Sequence, residues 1–485
     1  MSSFFNHFTF FLYLFQLENY SRFRFLKLSF SRLFSSKNLR RQELVFTLKA
    51  VLLFSLSVLL LFFLPLLIFW FPFFKTASLF LKIFILFLSF VFLSYFFFLP
   101  LLISSWLLSP FDFLAKKFIV SRAKKKLSRL SKIKIIGITG SYGKTTMKEM
   151  IFSVLSEKFK VAKTPENINT PLGIARFILK ELPPETEIFI VEMGAYKKGD
   201  IKELCLLAPP DVAVLTGINE SHLERFGNLA NTISAKFEIV RFSKNNASVF
   251  FNADDSKIVA NFEKYLGNRK VFFFSSKPNH LSKFNPRGLK FLEDGSGLEF
   301  ILSSSGQDLG PFKTGFLPSY IIGVVSASAL IGQFFGLSEQ EILRGVFEAR
   351  PAPHRLNLSR RGNNILVIDD SYNGNPEGVK EAVSTLERFS SRRKIFATPG
   401  LVEMGKDMER VHFGIGRDLS RVADLVLLIK TSASGFIKKG LLESGFSAEN
   451  IKEFNSMPEL QNSLFGILKE GDVILFQNDW PDNYL

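Results

Sequence analysis

Residues 134–146 read KIIGITGSYGKTT and run into MKEMIFSVLSEKF. A short β-type run, a glycine turn and a helical stretch with apolar residues at Met147, Met150, Ile151 and Val154 make the strand, loop and helix that a phosphate loop requires. Gly140 and Gly143 let backbone N–H groups approach phosphate oxygens, and the helix N-terminus adds partial positive charge. Lys144 can then reach the β- and γ-phosphates, and Thr145 or Thr146 can hold magnesium. Ile138 stands where the strict motif has its first glycine, so the spacing alone also fits a tight structural turn. The rest of the chain has to decide.

Downstream, strand-like runs alternate with helical patterns, which argues for an α/β architecture with a largely parallel sheet. EIFIVEMGAYKKGDI and DVAVLTGINESHLERFG each begin with an apolar strand pattern. Glu192 and His222 follow those strands, so both are expected at the C-terminal edge of the sheet, where the phosphate loop also opens. A carboxylate, an imidazole and a Thr hydroxyl meeting a triphosphate suit a hard cation such as Mg2+. NNILVIDD, RKIFATPG, ADLVLLI and GDVILFQ supply strands for a second, Rossmann-like domain. The single cysteine, Cys205 in KELCLLAPP, excludes an intrachain disulfide and a Cys-rich zinc site, and reads as a small buried apolar residue.

Upstream the composition changes. Of the formal charge of +17, residues 1–134 carry +16, from 19 Lys/Arg against three acids. A nucleic-acid-binding enzyme would carry its basic stripe on the folded part, so no nucleic-acid partner is expected. Twenty-five uncharged residues separate Lys49 from Lys75, and 29 separate Lys82 from Asp112. Each run exceeds the roughly 20 residues needed to cross hydrocarbon as a helix. The short connector makes them a two-helix transmembrane hairpin, with Trp70 and Trp106 either at headgroup level or packed between helices. Seven Lys/Arg in residues 22–41 and nine in residues 115–134 place both flanks in the cytoplasm. The first 35 residues are too short in apolar run for a third span and lack the charged start of a cleaved signal peptide. They read as an interfacial amphipathic helix or as a Phe-biased disordered tail.

In order along the chain stand TGSYGKTT, NIN with PLG, VEMGA, ESHLERFG, SAKFEI, FNADD and DDSYNGNP. From about Ile135 to about Lys430 this series resembles the Mur ligase family. The resemblance implies ATP-dependent amide formation, in which a carboxylate is phosphorylated to an acyl phosphate and then attacked by an amine. It implies ATP and Mg2+ as cofactors, with Gly140, Ser141, Gly143, Lys144, Thr145 and Thr146 around the nucleotide. It gives Thr145, Glu192 and His222 as metal positions and Lys236 as the lysine that family members carbamylate, which could then hold a second magnesium. Lys144, His222, Lys236 and Arg355 become the catalytic set. Asn252 matches the adenine-side contact and Asp370 the C-terminal-domain aspartate that meets the nucleotide. Arg355 matches the arginine at the domain junction, although the glycine usual before it is His354 here. Asn167, Asn169, Asn373 and Asn375 fall on the substrate side.

Where the family has an N-terminal domain for a UDP-sugar, residues 1–134 carry the hairpin and a basic linker. LPSYIIGVVSASA near Leu317 and the final ILFQNDWPDNYL also depart from the family pattern. The expected layout is a basic, Phe-rich segment 1–43, the hairpin at 44–111, a linker at 112–133, a central ATP-binding domain at 134–350 and a C-terminal domain at 351–485. The expected function is a ligase of peptidoglycan precursor synthesis at the inner membrane, its catalytic domains facing the cytoplasm. It would join D-alanyl-D-alanine, or a related amine, to a muramoyl-peptide donor. One alternative is a Mur-type ligase with another wall substrate. The other is a membrane-hairpin P-loop kinase of polysaccharide export, which leaves SHLERFG, SAKFEI and DDSYNGNP unexplained.

Overall fold

A computed structural model describes residues 2–18, 20–32, 44–66, 78–130, 132–166, 168–195, 197–219, 226–292, 295–304, 306–372, 374–401, 404 and 407–477. The chain forms two compact units, residues 1–119 and 120–485.

The first unit is helical: α1 Ser2–Leu17, α2 Arg22–Arg32, α3 Leu48–Leu66, α4 Leu79–Tyr95 and the start of α5 Phe98–Arg129. By length and composition α3 and α5 can each cross a membrane. The connector around Lys75, with Trp70, lies outside the described residues. The apolar run 83–111 differs from the single span expected, because it breaks between α4 and α5. At the break Phe97 and Phe98 are fully buried, and Phe97 stacks on Phe8 of α1 at 4.0 Å between ring centroids. Bringing bulky rings into the cluster outweighs the continuity of one helix. Nor is the N-terminal segment a tail. Phe8, Phe11, Phe15 and Phe25 of α1 and α2 pack with Leu53, Leu61 and Leu101. Polar pairs join helices of this unit: Ser57 Oγ donates to Ser104 Oγ at 2.9 Å, and Lys49 meets Asp112 at 2.5 Å. Pro110 has no N–H to give the Trp106 carbonyl, and the Ser109 hydroxyl donates to that carbonyl instead, at 3.0 Å. Residues 112–129, expected as a linker, continue α5, as their Ala, Lys, Leu and Arg content favours.

The second unit holds two parallel sheets. In the first, β1 Lys134–Thr139, β2 Val161–Lys163, β3 Ile188–Glu192, β4 Val212–Leu215, β5 Ser248–Asn252 and β6 Lys270–Phe274 lie in the order β2-β3-β1-β4-β5-β6. Every neighbouring pair is parallel, and β1 lies between β3 and β4. The helix α6, Lys144–Ser156, leaves β1 through the glycine loop and buries Met147, Met150, Ile151 and Val154. Its far side meets the helix Glu339–Glu348 closely: Ser153 Oγ donates to Gly345 O at 2.6 Å, and a Cβ on Gly345 would stand 2.4 Å from Val154 Cα. An antiparallel sheet of β7 Asn285–Phe291, β8 Leu298–Ser304 and β9 Gln307–Thr314 adds Phe300 and Phe312 to the same core.

The second sheet contains β10 Asn357–Arg361, β11 Ile365–Asp370, β12 Lys394–Thr398, β13 Leu425–Ile429, β14 Ile451–Phe454 and β15 Val473–Gln477. Its order is β10-β11-β15-β12-β13-β14, with only β10 antiparallel to its neighbour. All four expected strands are present here. Each sheet presents the carboxyl ends of its strands as a place for ligands.

Candidate active site

The loop after β1 is held open by its neighbours. Gly143 adopts φ +75°, which favours glycine, and starts α6. A Cβ on Gly140 would stand 2.1 Å from Thr216 Oγ1 and 3.0 Å from Gly217 N, so the backbone passes where no side chain fits. Ser141 N donates to Gly217 O at 2.7 Å, and Asn219 N donates to Ser141 Oγ at 3.1 Å. Tyr142 donates to Asp255 Oδ2 at 3.2 Å. Asp255 also accepts from the backbone N–H of Ile218, at 2.6 Å, and from those of Lys257 and Ile258. Burial, followed by the charge and hydrogen bond of Asp255, pushes the Tyr142 phenol up, so it remains a donor.

Three of the expected residues, Lys144, Thr145 and Glu192, meet at this loop. Lys144 Nζ donates to Gly140 O at 2.8 Å, and Thr145 Oγ1 donates to Glu192 Oε2 at 3.1 Å. Burial lowers the Lys144 ammonium, Glu192 raises it and Arg355 lowers it again. Burial and then the Lys144 charge push the Lys236 amine down to about 7, against the pull of Asp200. Near neutrality much of that amine is unprotonated, the form that attacks carbon dioxide in carbamylation. Thr145 and Glu192 are hard oxygen donors already paired at the loop, and so they fit Mg2+.

The C-terminal domain contributes Arg355 and Asp370. The Arg355 guanidinium lies 4.6 Å from the Tyr372 ring centroid. Asp370 ends β11, and burial raises its carboxyl to about 7 against the pull of Arg355 and a Leu356 backbone N–H. His354 and Leu356 have φ +61° and +49°. The position before Arg355 thus has the left-handed backbone a glycine would adopt, and His354 is tied there by Asp369 at 2.7 Å. Tyr320, which sequence reasoning missed, stands beside Thr146; the residue is 38% exposed, but burial of its hydroxyl raises it to about 12.

Other expected residues are placed differently. Asn252 ends β5, but its side chain donates to Thr216 O at 2.9 Å and accepts from Asp254 N, so it is engaged in scaffolding. Asn169 O accepts from Gly194 N at 3.2 Å, which joins the NIN segment to VEMGA. Asn375 caps the helix Pro376–Glu387 through Gly378 N at 2.9 Å. His222, Asn167 and Asn373 lie outside the described residues. Cys205 is buried beside Met193, and burial pushes its thiol up, as a structural residue requires.

The Mur ligase middle domain matches residues 138–328, and the Mur ligase glutamate ligase domain matches residues 354–477. The chain belongs to the Mur ligase family. This Mur ligase is 28% identical, over 73% of its length and 75% of the relative's, to the UDP-N-acetylmuramoyl-tripeptide--D-alanyl-D-alanine ligase of Bacillus subtilis. The ligase of that name from Escherichia coli is 29% identical over 58% of this chain and 61% of its own. In structure it resembles the MurF ligase of Thermotoga maritima, solved in complex with ADP, at 27% identity and TM-score 0.66, covering 75% of this chain and 80% of that one. The pseudomurein peptide ligase type C of Methanothermus fervidus, at 22% identity and TM-score 0.53 over 72% of this chain and 76% of its own, shares the fold. Family membership accounts for the motifs the kinase alternative leaves unexplained.

Proposed function

We propose that this Mur ligase uses ATP and Mg2+ to join D-alanyl-D-alanine to a muramoyl tripeptide in peptidoglycan precursor synthesis. The observation that carries the reading is the pairing of Thr145 with Glu192 beside Lys144 at one glycine loop. Thr145 and Glu192 would hold Mg2+, which would supply charge neutralisation to the reacting phosphate. Lys144 and Arg355 screen the anions as the donor carboxylate attacks the γ-phosphorus and ADP leaves. The amine then attacks the acyl carbon and phosphate departs. Asp370 and Tyr320 close over the loop from the second domain and the 317–321 segment, and exclude water that would hydrolyse the acyl phosphate. Lys236, its amine lowered to about 7 by burial, is the carbamylation site. Asn167, Asn169, Asn373 and Asn375 are the residues of the donor side, and His222 would join Thr145 and Glu192 as a cation ligand.

The proposal extends to the membrane. Residues 44–111 anchor the enzyme, 134–350 form the ATP-binding domain and 351–485 the C-terminal domain, facing the cytoplasm. Support comes from α3 and α5 and from large exposed apolar side chains such as Phe63, Phe87, Trp106 and Phe111, beside basic flanks.

The test supplies the full chain with ATP, Mg2+, a UDP-linked muramoyl tripeptide and D-alanyl-D-alanine, and reads products by mass spectrometry. Sustained release of ADP and phosphate is expected only when carboxylate and amine are both present. ADP release indifferent to every wall precursor would sink the reading.

A further inference from the structure

Lys148 has no part in the chemistry above. It lies one helical turn after Lys144 on α6, with its side chain 0% exposed. Its Nζ is 3.3 Å from Glu192 Oε2 and 3.7 Å from Glu149 Oε1, and among the described residues it donates no hydrogen bond. Glu149 is paired in turn with Lys163, whose ammonium lies 4.1 Å from the Phe152 ring centroid. Opposite charges therefore alternate through Lys163, Glu149, Lys148 and Glu192. The row ends on the carboxylate that accepts from Thr145.

An ammonium removed from water is costly, and a neighbouring carboxylate offsets that cost only in part. Met147 and Ile151 on the same helix and Ile190 on β3, two residues before Glu192, belong to the buried apolar core. A lysine here is therefore poorly explained by stability. We infer that Lys148 is a positioning residue for the cation site: its charge holds the Glu192 carboxylate turned toward Thr145, so that the two oxygen ligands stand together before a divalent cation arrives. The inference rests on the reading of Thr145 and Glu192 as cation ligands.

The experiment uses the full chain in detergent. Mn2+ is titrated in the presence of ADP and free Mn2+ is followed by electron paramagnetic resonance, while thermal unfolding is recorded separately in EDTA. K148M and K148Q are expected to bind Mn2+ about 10–100-fold more weakly, the usual effect of removing a group that orients a metal ligand. E192Q is expected to melt below the K148M/E192Q double variant, because the single change strands a buried ammonium. If E192Q binds Mn2+ as the unaltered protein does, the cation reading itself fails. If E192Q loses Mn2+ while K148M and K148Q keep full affinity, the cation site stands and Lys148 has no positioning role. Should neither Lys148 variant fold alone, a double variant that melts at or below E192Q overturns the pairing.

Discussion

Gly140 is the residue at which the loop tolerates least. A methyl group there would strike Thr216 and Gly217, so G140A is expected to displace the loop and weaken ADP binding, measured by calorimetry, with little change in secondary structure by circular dichroism. Lys144→Met removes a preorganised charge and should lower kcat by about 10²–10³, read from phosphate release. Lys236 carries a pH signature. Its amine is lowered to about 7 from 10.5, so between those values the unfolded chain binds more protons than the folded one, and stability rises with pH. K236M should flatten that rise, as urea unfolding at pH 7 and pH 9 would record. Lys144, Thr145 and Glu192 were legible in the sequence because each sits at a fixed offset from a strand end. Tyr142, Asp255 and Tyr320 were not, since their partners lie far along the chain: Tyr142 reaches Asp255 across 113 residues.

At the scale of elements, apolar runs with punctuating glycines announced β1, β3, β4 and the strands β11, β12, β13 and β15. The sheet β7-β8-β9 went unread because NPRGLKF and QDLGPFKT are exposed on much of their length and show little apolar alternation. The division between α4 and α5 was hidden for the opposite reason: a run that is apolar throughout does not mark where rings from another helix will intrude. Packing between helices gives a sharper expectation. At Gly345 the opposing atoms are the backbone of α6, which cannot yield as a side-chain tip could. G345A should therefore cost ~1–3 kcal/mol, seen as a lower urea midpoint. Because α6 carries Lys144 and Thr145, nucleotide affinity should fall with it.

Across the whole second unit, a few polar contacts join the two sheets' domains. Asn219 Nδ2 donates to Glu377 Oε2 at 3.0 Å, and Ser319 donates to Glu381 Oε1 through its N–H, at 2.6 Å, and its hydroxyl. Both carboxylates belong to the helix Pro376–Glu387, so E377A/E381A should loosen closure and raise uncoupled ATP hydrolysis relative to ligation, a ratio read from ADP and ligated product. None of these pairs could be read from spacing. The membrane proposal predicts that the full chain stays with the pellet after an alkaline carbonate wash of membranes, whereas a peripheral enzyme would be released. The hydrogen bond from Lys144 to the Gly140 carbonyl has a last consequence. A nucleotide enters by exchange, since the ammonium gives up one partner to accept another, and equilibrium affinity records only the difference. The same arrangement eases departure, for when the spent diphosphate leaves, the lysine has a berth to return to.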